Sequence, residues 1–210
     1  MALDPRSLRV YVVTSANGVP GRTHRDVAFA AIDGGATAVQ LRAPELDDDA
    51  VHDVASAIGQ RCDEMGVLFV VNDRTDVAAA VGAGAHVGRD DEPGRARLVL
   101  GDDAILGVSV ETPGDALAAV DVGADYVGLT VWATPTKPEA HPRGLHGLRA
   151  VVDAVDLPVV AIGGIDARNA REVLEAGASG VAVVSAVGAA PDPVAATRRL
   201  AAALGGETDA

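Results

Sequence analysis

The chain is poor in lysine, aromatics, cysteine and positive charge, and each shortage excludes a class of protein. Lys137 is the only lysine among 210 residues, against sixteen arginines. Basic residues number 17 and acidic residues 30, a net charge of −13. That balance argues against a nucleic-acid partner, which needs a basic footprint. It leaves a hydrated surface that repels anions, so any phosphate site must gather its own positive charge locally. A single cysteine, Cys62, excludes an intramolecular disulfide, and no Cys/His cluster has zinc spacing. Cys62 lies in a helical pattern, where a buried, inert thiol is expected. No apolar run reaches about 18 residues, and the N-terminus lacks the layout of a secretory leader. A cytoplasmic protein without a membrane partner is therefore expected. Aromatics make up 2% of the chain while hydrophobic residues reach 49%. The core must then be built from Ala, Val, Leu and Ile, which suits buried parallel strands.

What is present is alternation. Strand-like runs at Leu8–Thr14, Ala38–Leu41, Leu68–Val71, Ala85–Val87, Ile105–Val108, Tyr126–Leu129, Val159–Ile162 and Val181–Val184 are separated by helical patterns. The helices are expected at His24–Asp33, Asp47–Met65, Asp76–Val81, Gly94–Leu100, Pro113–Val122, Gly147–Val155, Ala167–Ala176 and Pro191–Leu204. Gly35-Ala36, Gly123-Ala124 and Gly177-Ala178 each precede a strand and read as helix C-caps. Eight strand–helix units imply a parallel sheet closed as a (β/α)8 TIM barrel of one domain, with ends fraying at about 1–7 and 205–210. The alternative, a doubly wound open sheet, would carry a Gly-x-Gly-x-x-Gly turn after the first strand. Ser15-Ala16-Asn17-Gly18 stands there instead.

Chemistry in such barrels gathers at the C-terminal strand ends. Read in turn, these ends offer Gln40 and Arg42, then Asn72 and Asp73, then Asp91. Ser109 comes next, followed by Thr134, Thr136 and Lys137 in the loop after strand six, then Gly163-Gly164 and finally Ser185. The mixture of cation, acid, amide and hydroxyl on one rim points to a polar ligand. Gly163-Gly164 and Val184-Ser185, opening the last two helices, suit either a phosphate or a plain turn. Asp73 and Asp91 suit Mg²⁺, which accepts one or two carboxylates and completes its shell with water and phosphate; each also suits a turn or helix-cap role. Arg42 suits a pyrophosphate or a surface pair with Glu45. His24, His52, His141 and His146 read as solvated, and His86, inside the fourth strand, as facing core or ligand, with burial statistics favouring the core. No nucleophilic triad is supported, because Ser109 and Ser185 lack a recognisable histidine context. Displacement of a phosphate leaving group fits better.

As an ordered set these strand ends resemble the thiamine-phosphate synthase family, which includes thiazole tautomerase relatives. The resemblance rests on Val39-Gln-Leu-Arg42, Val71-Asn-Asp73, His86-Val-Gly-Arg-Asp-Asp91 and Gly107-Val-Ser109. It continues through Gly123-Ala-Asp-Tyr-Val-Gly128, Thr134-Pro-Thr-Lys137, Ala161-Ile-Gly-Gly-Ile165 and Val181-Ala-Val-Val-Ser185. It implies a Mg²⁺-dependent transferase that couples hydroxymethylpyrimidine diphosphate to a thiazole phosphate, releasing pyrophosphate by a dissociative route. Under it, Gln40, Arg42, Asn72, Ser109 and Lys137 would serve the pyrimidine diphosphate, with Lys137, Arg42 and Ser109 in the catalytic role. Asp73 and Asp91 would hold the metal. Thr134, Thr136, Gly164, Val184 and Ser185 would bind the thiazole phosphate. The partners implied are small molecules, with a homo-oligomer left open. Some positions depart from the family pattern. Pro44 stands where a second lysine is usual, Arg89 where a glutamine is usual, and Glu111 where a histidine is frequent. Thr130-Val131 replaces a common Gly-Pro. A thiazole tautomerase and a non-catalytic phosphate-binding barrel are the rival readings.

Overall fold

The computed structural model describes residues 3–15, 19–88, 91–134 and 141–205. Eight parallel strands close into a barrel in sequence order, each paired with the next and the last with the first. They are β1 (Val10–Val13), β2 (Ala38–Leu41), β3 (Leu68–Asn72), β4 (Gly84–Val87), β5 (Leu106–Val110), β6 (Tyr126–Thr130), β7 (Val159–Ile162) and β8 (Gly180–Val183). The helices in chain order are α1 (His24–Asp33), α2 (Asp48–Met65), α3 (Thr75–Ala80), α4 (Pro93–Leu100) and α5 (Pro113–Asp121). They continue with α6 (Gly144–Val152), α7 (Ala170–Glu175), α8 (Ser185–Gly188) and α9 (Pro193–Ala203). The expected TIM barrel is the one observed.

Helix starts follow local chemistry. Thr23 and Thr112 form reciprocal capping boxes with Asp26 and Asp115, while the carboxylates of Asp47 and Asp192 cap α2 and α9. Gly35, Gly123 and Gly177 all take positive φ, as expected of turns from helix into strand. Burial divides the apolar residues into two layers. Between sheet and helices lies a large cluster made almost wholly of Ala, Val, Leu and Ile, including the buried Cys62. Burial, with the neighbouring Asp63 charge, pushes that thiol up to about 12, so it is inert at neutral pH. Inside the barrel a smaller cluster holds Leu8, Tyr11, Val13, Ala38, Val70, Tyr126, Val160 and Ala182. Leu8, expected to open the first strand, closes its floor from a 3-10 turn at Pro5–Leu8 that reaches back into the stretch expected to fray.

Several boundaries moved. Strand β5 runs to Val110, so Ser109 sits within the strand rather than after it. Helix α7 begins only at Ala170, so Gly163-Gly164 open a turn, not the helix. Val184-Ser185 open a separate four-residue helix, α8, ahead of α9; Ser-Ala-Val-Gly is too short to show a helical period. No helix among the described residues is long and apolar enough to cross a membrane. The acidic tail at 206–210 lies outside the described residues.

Candidate active site

The C-terminal end of the barrel opens into a cavity of about 750 Å³. That is within the range of small-molecule sites. Gln40, Arg42, Asn72, Asp91 and Ser109 line one side; Thr134, Gly164, Val184 and Ser185 line the other. Residues separated by up to 145 positions thus meet on one rim, because each ends or follows a strand. Asp73 lines a smaller adjoining cavity with Arg42, Pro44 and Asn72. Thr136, Lys137 and Arg89 lie outside the described residues.

Each feature is held by identifiable bonds. The Thr14 hydroxyl accepts the backbone N–H of Arg42 at 3.2 Å and is bonded to His24 Nδ1 at 2.8 Å. His24 Nε2 in turn meets Glu45 at 2.6 Å. His24 is therefore buried and bonded, not solvated as its spacing suggested. Glu45 spends its hydrogen bond on histidine rather than on Arg42, which lines the cavity. Burial raises the Glu45 carboxyl, but the His24 hydrogen bond, backbone bonding and the charges of His24 and Arg42 hold it below its ordinary value.

Asp73 takes φ 62 without being glycine. Its N–H donates to His86 O at 2.9 Å and its carboxylate accepts from the Asn72 amide. A non-glycine residue held there is uncommon, and such conformations concentrate at functional sites. Neither acid caps a helix with its side chain. The residue capping α3 is Arg74, that capping α4 is Glu92, and Asp91 Oδ2 accepts from Gly88 N at 3.0 Å. No cluster of three metal-type ligands occurs among the described residues.

Gly163 and Gly164 both take positive φ, and a Cβ on Gly163 would come within 2.4 Å of Trp132 O. Glycine is required here because the loop after β6 crosses directly over the turn. Asn169 Nδ2 ties that turn to α7 by donating to Gly164 O at 2.9 Å. Arg22 Nη1 donates to Gly188 O and Ala190 O at 2.8 and 2.7 Å, fixing the far end of α8.

The cavity also gathers residues the strand-end reading left aside. Tyr11 and Tyr126 are the only two tyrosines in the chain. They meet inside the barrel at 2.8 Å between hydroxyls, with burial the main cause raising both above their ordinary values. Gln40 Nε2 donates to Tyr11 Oη at 2.9 Å; His86 Nδ1 lies 3.0 Å from Tyr126 Oη, and its Nε2 lies 2.9 Å from Ser109 Oγ. His86 therefore faces the ligand side, not the core that burial statistics favoured for it. Tyrosines on two strands of an aromatic-poor chain were the available signal. Glu111 and His141 also line the mouth; the Glu111 carboxylate pairs with Arg143 and faces His141 Nδ1 at 3.3 Å.

The sequence model of thiamine monophosphate synthase matches residues 10–187. The chain belongs to this family. It is 50% identical over 198 residues to thiamine-phosphate synthase of Chloroflexus aurantiacus, covering 92% of this chain and 91% of that one. To the enzyme of that name from Haloquadratum walsbyi it is 47% identical over 200 residues, covering 92% and 90%. The solved thiamine phosphate pyrophosphorylase from Pyrococcus furiosus superposes with a TM-score of 0.88 at 39% identity, covering 96% of this chain and 97% of that one. A 3-hexulose-6-phosphate synthase, at 18% identity and TM-score 0.69, shares the barrel alone. Within the thiamine monophosphate synthase family, the strand-end set is the common ground between sequence resemblance and cavity.

Proposed function

We propose that this chain is a thiamine-phosphate synthase that joins 4-amino-2-methyl-5-hydroxymethylpyrimidine diphosphate to 4-methyl-5-(2-phosphoethyl)thiazole by a dissociative route. The observation that carries this reading is that Gln40, Arg42, Asn72, Asp91, Ser109, Thr134, Gly164, Val184 and Ser185 line one cavity roomy enough for two small phosphorylated molecules, in a chain the family model matches over residues 10–187. In the reaction the pyrimidine methylene C–O bond breaks and its electron pair departs with pyrophosphate. The thiazole nitrogen lone pair then forms the new C–N bond, leaving a thiazolium.

On this reading the Gln40 amide, Asn72 and the Arg42 guanidinium bind and orient the pyrimidine diphosphate. Arg42, Ser109 and Lys137 face the charge that develops on the leaving group, where preorganised donors act most strongly. Thr134, Gly164, Val184 and Ser185 hold the thiazole phosphate against the opposite wall, and Thr136 is assigned to the same phosphate by the family resemblance. Asp73 and Asp91 suit Mg²⁺: both are hard oxygen donors at adjacent strand ends, neither side chain caps a helix, and this ion needs only one or two carboxylates. When bound, the ion would supply positive charge for the diphosphate oxygens. Retention of both acids favours a synthase over a tautomerase, which has no diphosphate to neutralise.

The deciding experiment supplies both half-molecules with Mg²⁺ and follows thiamine phosphate and pyrophosphate. Equal release of the two products is expected. No product, with thiazole phosphate still bound, would overturn the reading in favour of a tautomerase or a binding barrel.

A further inference from the structure

A line of hydrogen bonds crosses the barrel interior from β2 to β5: Gln40 to Tyr11, Tyr11 to Tyr126, Tyr126 to His86, His86 to Ser109. The sequence makes room for it. His86 and Tyr126 sit on β4 and β6, with β5 between them, and meet only because Gly107 on β5 has no side chain. A Cβ there would lie 2.2 Å from the Tyr126 ring and 2.5 Å from His86 Nδ1. Gly107 is in register with both residues. Gly128 does the same on β6, where a Cβ would lie 3.0 Å from His86 Cε1.

We propose that this line has a fixed direction, which makes His86 a positioning residue that turns the Ser109 hydroxyl into a hydrogen-bond donor toward the cavity. Gln40 Nε2 is a donor, so Tyr11 Oη accepts from it. The Tyr11 proton then goes to Tyr126, since both hydroxyls are buried and an unpaired buried hydroxyl proton is costly. Tyr126 passes its own proton to His86 Nδ1, which must be the unprotonated nitrogen of a neutral ring. Nε2 carries the proton and donates it to Ser109 Oγ. Because the protonated Nε2 cannot accept from Ser109, the hydroxyl proton is left for the ligand, as a leaving diphosphate requires. The consequence for the diphosphate rests on the proposed role of Ser109; the direction of the line does not.

The test has two arms on the full-length chain. Nitrogen NMR of histidine-labelled protein, with the His86 signal identified by its loss in His86→Gln, should find the Nε2-protonated tautomer without any ligand. An Nδ1-protonated ring would mean that Gln40 presents its carbonyl to Tyr11 and the whole line runs backwards, which overturns the proposal. Tyr126→Phe should mix the tautomers and raise the KM for the pyrimidine diphosphate roughly tenfold, the loss expected for one net hydrogen bond, with the thiazole phosphate KM unchanged. Tyr11→Phe, one link further away, should act in the same direction and serves if Tyr126→Phe does not fold. An unaltered tautomer in both variants, or equal rises in both KM values, would reduce the line to a packing feature. If the wild-type chain makes no thiamine phosphate yet shows the Nε2 tautomer, the function fails and the positioning line stands.

Discussion

The two halves of the barrel interior are built on opposite terms. Toward the N-terminal ends the space is filled by Leu8, Ala38 and Val70, apolar side chains whose worth lies in volume. Toward the C-terminal ends the strands contribute Gln40, His86, Ser109 and two tyrosine hydroxyls, whose worth lies in direction. A volume can be filled by several side chains with modest loss. A directed line of buried polar groups fails when one member is removed, because its neighbours are left unsatisfied. Stability should therefore reside below and activity above, and substitutions should separate the two.

The largest effect is expected at the single lysine, on the proposed function. Lys137→Ala should lower turnover by roughly two to three powers of ten, the loss typical of one preorganised electrostatic contact, while the melting temperature stays put. Wild-type turnover would make Lys137 ornamental and remove the chain's only lysine from the chemistry. Leu8→Ala tests the floor. Deleting a fully buried leucine should cost about 3 kcal/mol of stability, read as a fall in denaturation midpoint, with both KM values of the folded fraction intact. A changed KM would show that the halves are coupled rather than separate. Asp73→Asn is milder, because asparagine tolerates the positive φ that Asp73 holds. It should raise the half-saturating Mg²⁺ concentration by at least roughly tenfold, and an unchanged titration would remove Asp73 from the metal site.

The smallest effect is a pH dependence outside the barrel interior. The folded-state carboxyl of Glu45 lies below its ordinary 4.5, so its stabilisation is present above that value and lost as pH falls through the folded value. The group is 44% exposed, so solvent screening limits the contribution to under about 1 kcal/mol. Glu45→Gln should flatten the acid side of the melting-temperature profile slightly. An identical acid limb in wild type and variant would show that the His24 bond does not steady the Arg42 segment.

Much of the site is legible in the sequence, because a parallel barrel places every strand end on one face. Gln40, Arg42, Asn72, Asp91, Ser109 and Ser185 could be set on a common rim from alternation alone, and the cavity lining agrees. His24 was misjudged because its partners, Thr14 and Glu45, lie ten positions before and twenty-one after it, on other segments. No local pattern encodes that pairing. The helix α8 escaped because a single turn has no period to detect.

By itself, the sequence determined the eight-fold alternation, the apolar make-up of the layer between sheet and helices, and the order in which polar residues reach the mouth. These are local properties: periodicity, capping and the strand-end rule act over a few residues at a time. Only the tertiary structure decided which polar residues touch. Gly107 is an unremarkable strand glycine until β4 and β6 flank it and His86 meets Tyr126 across the gap. Strand register sets that meeting, and register is a property of neighbours that the chain brings together only when the barrel closes.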